Sequence, residues 1–490
     1  MKRRIFSKMI LSVLLVCTLF TTVACSNSDE YITKGTNLNQ EELSSSDRVT
    51  IYTYVDPDNK DLHYDQDTKF YYPLLDMVHM YNNYCSLNKM GEYSVKVVSF
   101  SSRDRMIQQM STEIMAGGGP DIIILDNELP ISKLINQGAF ADMNILLKND
   151  KSERKINLDD YDNTLMDTGV FKGKRYMMPM LIEPDIYISN SALFKNYYLA
   201  TNTRLTYSNI NNKLKKFANN SNNLSLTDSY SSSKEIILHY INDNINKEDY
   251  TTDFETKKFK STIESLKKLV KKSIADTKTT KDLSKSECLL SKGTTDKETG
   301  IYTPYNFSLT HMSGYSSTQT TFTGGITEKE NQSRATISCG FMINNNSNKK
   351  EKAFEFIKYS LGERMQRFIT FDSTYGDTYN ITVNKDALNN SLSSFAYGDI
   401  YNITVNKDAL NNSLSSFSYG GADFDEIKEQ DSFMDKYASY INSINTYEIR
   451  DGYYNDKVIG SLVDDYLQDK ISIDNFIANL SSKTKLYLYE

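Results

Sequence analysis

Apolar positions between residues 106 and 126 change period in a way that defines three elements. Met106, Met110 and Ile114 recur every four residues, with Ile107 and Met115 beside them, which predicts a helix with one apolar face. Gly117-Gly118-Gly119 stops that helix, because glycine takes the left-handed conformation of a C-cap, and Pro120 prevents it from resuming. Ile122-Ile123-Ile124-Leu125 is a continuous apolar run, as expected of a strand covered on both faces. Asp126 and Asn127 then fall at the strand's carboxyl end, where open α/β sheets bind ligands. The glycines follow a helix and precede a strand, which is the reverse of a phosphate-binding loop. Upstream, Val49 to Val55 alternates as a first strand, Asp56-Pro57 opens a turn, 70–83 reads as a helix and 93–100 as a second strand. Strand, helix, strand, helix, strand is the pattern of a doubly wound α/β lobe.

Further along, Phe259, Ile263, Leu266 and Val270 form the apolar face of a lysine-rich helix with a solvated outer side. Residues 336–344 read as a strand, and Phe354, Ile357, Leu361 and Met365 line one face of a helix after it. Between 291 and 334 the chain is rich in Gly, Ser and Thr and carries Tyr302 and Tyr305, the kind of loop that bears binding residues. Residues 375–398 and 397–420 are nearly identical 24-residue windows offset by 22, differing only at Thr378/Ile400 and Ala396/Ser418. Two copies are too few for a solenoid and read as a tandem duplication.

Composition narrows the function. With 490 residues the chain is long enough for more than one core. A net charge of −7, with no basic tract beyond the first eight residues, gives nucleic-acid binding no support. Lys2, Arg3, Arg4 and Lys8 precede an apolar run from Met9 to Phe20, too short to span a bilayer, and Thr22-Val23-Ala24-Cys25 follows. That is a secretory signal and resembles a bacterial lipoprotein box with Cys25 as the lipidated residue, followed by a polar tether to residue 48. Cys85, Cys288 and Cys339 imply no disulfide framework and read as buried small hydrophobes. The four histidines have no partners at metal-ligand spacing, which argues against a histidine-rich zinc or manganese site and leaves an all-oxygen Ca²⁺ site open; no metal ligands are assigned and no cofactor is expected.

Five segments carry a family resemblance. Ala116-Gly117-Gly118-Gly119-Pro120-Asp121-Ile122 resembles the "AGxGPDI" segment of extracellular solute-binding proteins of ABC transporters, of the maltose-binding-like carbohydrate type. Gly138 to Met143 is similar to the family's helix exit. Gly173-Lys174-Arg175-Tyr176, with Pro179 and then Tyr187, Asn190, Leu193 and Phe194, resembles "GKxYxxP…xYxNxxLF". Gly340 to Phe356 resembles "GxxINxxSxNKxxAxxF", and the C-terminal 467–490 resembles the closing helices of Gram-positive members.

The resemblance implies an α/β, two-lobed periplasmic-binding-protein fold of type II with inter-lobe crossing strands. It places a signal peptide at 1–24 and an anchor and tether at 25–48. The first lobe takes 49–168 with 340–376, and the second takes 169–339 with 377–490. It also implies a lipid-anchored receptor, monomeric and on the extracellular face of a bacterial membrane, that binds a carbohydrate and delivers it to permease subunits without turnover. The ligand contacts implied are Asp126, Asn127, Glu183 and Tyr187, with Tyr54, Asp56, Tyr302 and Tyr305. The chain has no tryptophan, so ring stacking against a sugar falls to its 35 tyrosines. A ligand sensor would share the same cleft. A glycoside hydrolase would need two carboxylates roughly 5–10 Å apart about the scissile bond, and nothing in the sequence marks Asp126 or Glu183 as an acid.

Overall fold

The structure is a computed structural model, described here for residues 48–54, 71–126, 128–152, 154–190, 204–215, 225–227, 230–246, 249–277, 288–290, 320–367, 381–382, 439–440 and 442–489. Its first lobe is built on a sheet with β1 (Val49–Tyr54), β2 (Val95–Phe100) and β3 (Ile122–Ile124) parallel to one another. Helices α1 (Tyr71–Leu87) and α2 (Arg103–Met115) make the crossovers. The short helices α3 (Ile131–Asn136), α4 (Met143–Asn149) and α5 (Asn163–Asp167) follow, and then a hairpin of β4 (Val170–Phe171) and β5 (Lys174–Arg175). The chain leaves the lobe along β6 (Met178–Pro184) into β7 (Ile186–Asn190).

The second lobe holds β8 (Ser225–Thr227), helix α6 (Ile210–Lys213) before it and α7 (Tyr230–Asp243) after it, and the pair β9 (Ile245–Asn246) and β10 (Thr251–Thr252). Helix α8 (Lys257–Thr277) leads to β11 (Cys288–Leu290), parallel to β8, and β12 (Thr320–Gly324) runs antiparallel to β7. The chain returns along β13 (Arg334–Ile343), the longest strand, into α9 (Lys350–Leu361) and α10 (Glu363–Arg367). Short strands β14 (Ile381–Thr382) and β15 (Thr446–Glu448) flank the crossing, and α11 (Gly460–Leu467) and α12 (Ile473–Tyr489) close the second lobe. The crossing strands join the main sheet in the order β14-β6-β13-β3-β1-β2, with β15 beside β13.

Two separate apolar cores follow from this topology. The first packs Ile51, Ile122 and Phe341 of the sheet against Met77 and Tyr81 of α1, Met110 and Ile114 of α2 and Phe356 of α9. The second packs Leu226 and Leu289 against Ile237 of α7, Leu266 of α8, Tyr466 of α11 and Leu480 of α12. The helical faces expected at 259/263/266/270 and 354/357/361/365 are all buried. The crossing residues Met177, Met178, Met180, Leu181, Ile182 and Ile186, and Tyr440, Ile444 and Ile449, pack into the first core, although the sequence reading placed them in the second lobe. Strands that pass between lobes bury their apolar side chains where the larger sheet lies. Cys85 and Cys339 are buried free thiols, and burial pushes the Cys339 thiol well up. No described helix is long and apolar enough to cross a membrane. Apart from residues 381–382, the duplicated stretch 375–420 lies outside the described residues.

The glycine-proline-aspartate segment is explained by its hydrogen bonds. Gly118 N donates to Glu113 O at 2.8 Å and Gly117 N to Ile114 O at 3.1 Å, the paired bonds of a Schellman stop, with Gly117 at φ +84°. Asp121, only 7% exposed, accepts from Thr50 N (2.9 Å) and Thr50 Oγ1 (3.0 Å) on β1 and from Ser347 Oγ (2.6 Å) on the returning chain. Lys349 Nζ lies 3.4 Å from the same carboxylate. Asn344, 1% exposed, donates Nδ2 to Gly118 O (2.7 Å) and Pro120 O (3.0 Å). Two motifs more than two hundred residues apart are therefore one structural unit.

Asp121→Ala leaves Lys349 and three donors without their acceptor in a buried site. It is expected to destabilise the protein by about 3–5 kcal/mol in denaturant unfolding, with Asp121→Asn costing less. Gly117→Ala meets open space but keeps the positive φ, and should cost about 1–2 kcal/mol in the same assay.

Candidate functional site

Strand polarity places the first half of the site. Strand β13 leaves the second lobe at Arg334 and runs antiparallel to β3, so the carboxyl ends of β3 and its parallel neighbour β1 point toward the second lobe. Asp126 lies two residues past β3. Arg103 opens α2, with Ser102 as N-cap accepting from Arg105 N at 3.4 Å. The two side chains form a bidentate pair, Arg103 Nε to Asp126 Oδ2 at 3.1 Å and Nη2 to Oδ1 at 2.8 Å. Burial works against the guanidinium's charge, but the Asp126 bonds outweigh it and hold its pKa above the ordinary value, with Tyr54 and Glu128 adding to the effect. Asp126 Oδ1 also accepts from Glu128 N at 2.8 Å. Glu128 lies 3.8 Å from Arg103 and 4.0 Å from Lys457, which sits on a π-helical turn (Tyr453–Val458) beside the second core. Charges of alternating sign thus run from Asp126 on one lobe to Lys457 on the other.

The crossing strands place the second half. Thr336 on β13 is registered with Glu183 on β6 and with Glu448 on β15, so the three side chains share one face of the sheet. Glu448 lines a cavity of about 370 Å³ between the lobes. Thr168 and Phe171 form its first-lobe wall, His239 and Asn242 of α7 its second-lobe wall, and Tyr447 and Arg450 its floor on the crossing segment.

A buried ionic cluster supports that cavity. Arg334, 4% exposed at its side chain, reaches Asp243 Oδ2 at 2.5 Å and Glu448 Oε2 at 3.4 Å. His239 lies with Nδ1 3.0 Å from Glu448 Oε1 and Nε2 3.6 Å from Glu235 Oε1. Arg450 Nη1 donates to the same Glu235 Oε1 at 3.0 Å. Burial disfavours the imidazolium, but Glu448 and Glu235 outweigh that cost and push His239 up to about 9. Burial lifts the Asp243 carboxyl even though Arg334 opposes the shift. Tyr207 donates its hydroxyl to Asp243 at 3.0 Å, and burial followed by the Asp243 charge raises that phenol.

The expected ligand contacts divide three ways. Asp126 and Tyr54 sit together with Arg103 at the strand ends, and Glu183 is half-buried on the crossing strand next in register to Thr336. Tyr187 is only 2% exposed and packs in the second core, because β7 turns that side chain inward against β12. Asp56, Asn127, Tyr302, Tyr305 and Cys25 lie outside the described residues. Sequence reasoning missed Arg103, whose signal was its place just after an N-cap serine at the end of a strand. It also missed Glu235, His239 and Asp243, spaced i, i+4 and i+8 along one side of α7. Among the described residues no group of three or more His, Cys, Asp or Glu is arranged to hold a metal ion.

Known proteins match this architecture. No curated protein matches the sequence. A putative oligosaccharide periplasmic-binding protein from Synechococcus sp. MITs9220 aligns with TM-score 0.56 at 11% identity, over 90% of this chain and 98% of that one. A cyclic alpha-maltosyl-1,6-maltose binding protein from Arthrobacter globiformis aligns with TM-score 0.54 at 13% identity, with the same coverage of each chain. An ABC substrate-binding protein from Listeria monocytogenes, in complex with cycloalternan, aligns with TM-score 0.52 at 14% identity, again over 90% and 98%. At such identities the likeness establishes the fold, a two-lobed periplasmic-binding-protein fold of type II. A family model described as bacterial extracellular solute-binding protein matches residues 83–397, more than half of the sequence. With its two α/β cores, crossing strands and polar inter-lobe junction, the chain belongs to the family of bacterial extracellular solute-binding proteins.

Proposed function

We propose that the chain is the extracellular receptor of an ABC importer, that it binds a carbohydrate, in particular an oligosaccharide, between its lobes, and that it delivers the ligand to permease subunits unchanged. The observation that carries this reading is the convergence of polar groups from both lobes. Asp126, Arg103 and Glu128 at the strand ends face Lys457, and Glu183 lies on the crossing strand. Carboxylates and a guanidinium held in place suit the many hydroxyls of a sugar, and tyrosine rings suit its C–H faces. The Listeria and Arthrobacter relatives take cyclic oligosaccharides, which favours a ligand of more than one ring. The signal-like leader at 1–24, followed directly by Cys25, supports attachment of the monomeric receptor to the outer face of the membrane through a lipid on that residue.

Binding biases a two-lobed receptor toward the closed form only by the ligand's preference for that form. No step of bond cleavage is needed, and the sugar is recovered intact. Tyr54 is assigned to the first-lobe side of the ligand, and Asp56, Asn127, Tyr187, Tyr302 and Tyr305 are proposed as further ligand contacts.

A thermal-shift panel of mono- and oligosaccharides, with peptides and amino acids as controls, tests the reading. An oligosaccharide at one hundred times its Kd should add about 2.7 kcal/mol of stability, whereas a response to peptides alone would discard the sugar. Asp126→Asn and Glu183→Gln should each weaken the active sugar about tenfold to a hundredfold in calorimetry, the loss of one charge-assisted hydrogen bond. Unchanged affinity in both would remove this site assignment. Chromatography of the bound sugar after prolonged incubation should return it uncleaved.

A further inference from the structure

The edge of the main sheet and the tandem duplication meet in one short strand. Strand β14 (Ile381–Thr382) forms that edge, antiparallel to β6, with Ile381 opposite Ile182 and Thr382 opposite Leu181. These two residues belong to the first copy of the duplicated stretch. The second copy carries the same pair as Ile403-Thr404, and the whole run from Tyr379 to Phe395 recurs unchanged from Tyr401 to Phe417. The differing positions, 378/400 and 396/418, fall outside that run. We infer that the two copies compete for the same edge of β6, so that the folded protein is a mixture of two threadings in which either Ile381-Thr382 or Ile403-Thr404 completes the sheet.

Identical residues gain the same ladder bonds from the same edge, so pairing with β6 does not decide between the copies. What differs is the length of chain on either side. With the first copy in place, 13 residues (368–380) connect α10 to the strand, and 56 (383–438) lead on to Ser439. With the second, the two connections are 35 residues (368–402) and 34 residues (405–438). The closure cost of a loop grows only with the logarithm of its length, and over both connections the difference favours the first copy about twofold. A shift of 22 residues is therefore nearly free, whereas a slip of one residue along β6 would turn every side chain to the other face. Strand β6 itself is held on its other edge by β13, so it stays in place whichever copy pairs. Glu183 follows directly on Ile182, and the strand that carries it is covered in either threading. Each copy thus stands as a spare for the other.

The test needs no ligand, so its outcome is separate from that of the sugar reading. Successive residues of a strand alternate in pointing their N–H at the partner, so replacing both members of a pair by proline removes the ladder donor. Brief deuterium pulses read by mass spectrometry tell the copies apart, because peptide 376–384 contains Thr378 and peptide 398–406 contains Ile400. In the unsubstituted protein the strand amides of both peptides should be protected, in shares of about two to one that together make one. Ile381→Pro with Thr382→Pro should move the whole protected share to 398–406. Ile403→Pro with Thr404→Pro should move it to 376–384. Each should leave β6 at Leu181 and Ile182 as protected as before. All four substitutions together should expose β6 there and lower Tm by more than the two single-copy losses added. Full protection of both peptides at once in the unsubstituted protein would overturn the proposal. So would a first-copy variant that does not fold, or in which 398–406 gains no protection, and so would a fourfold variant no worse than either pair.

Discussion

The buried carboxylate of Asp121 holds the two halves of the first lobe together. It stands at the start of β3, takes two hydrogen bonds from Thr50 on β1, and takes a third from Ser347 where the chain has just come back from the second lobe. Asn344 completes the joint by closing the carbonyls of Gly118 and Pro120. A carboxylate this enclosed is costly unless every oxygen is matched. The returning strand must therefore arrive in one register, with Ile343 opposite Ile122 and Phe341 opposite Ile124. Register matters doubly here, since a slip of one residue would turn the whole face over.

From that fixed register the functional geometry follows. With β13 locked against β3, its opposite edge fixes β6, and Glu183 comes to lie beside Thr336. The same strand carries Arg334 at its far end, which gathers Asp243 and Glu448 into the buried cluster under the cavity. Asp126 is held five residues beyond Asp121 by Arg103. A bidentate ion pair at that depth orients a carboxylate more than it stabilises the fold. The polar groups of the inter-lobe junction thus sit on strands and helix ends.

Much of the architecture was legible because it rests on local periodicity. Helical spacing at Met106, Met110 and Ile114, the glycine stop and the isoleucine run each correspond to an element of the first lobe. The family motifs were visible as strings, but their cause was not. That Asp121, Asn344 and Ser347 bond one another is a fact of three dimensions. Tyr187 shows the opposite limit. Its position after the crossing strand pointed to a ligand, yet strand alternation sends it into the second core. Arg103 and the His239 cluster were hidden because ordinary surface charges have the same sequence appearance. Only burial and mutual distance separate them from solvated residues.

The central claim is that one ligand is gripped by both lobes. Hydrogen-exchange mapping of the free and oligosaccharide-saturated protein tests it most directly. The account predicts slowed exchange on both sides at once, in the segment from Leu125 to Leu129 on the first lobe and in the turn from Tyr453 to Val458 on the second. Protection confined to one lobe, or absent from both segments while the sugar is bound, would contradict it.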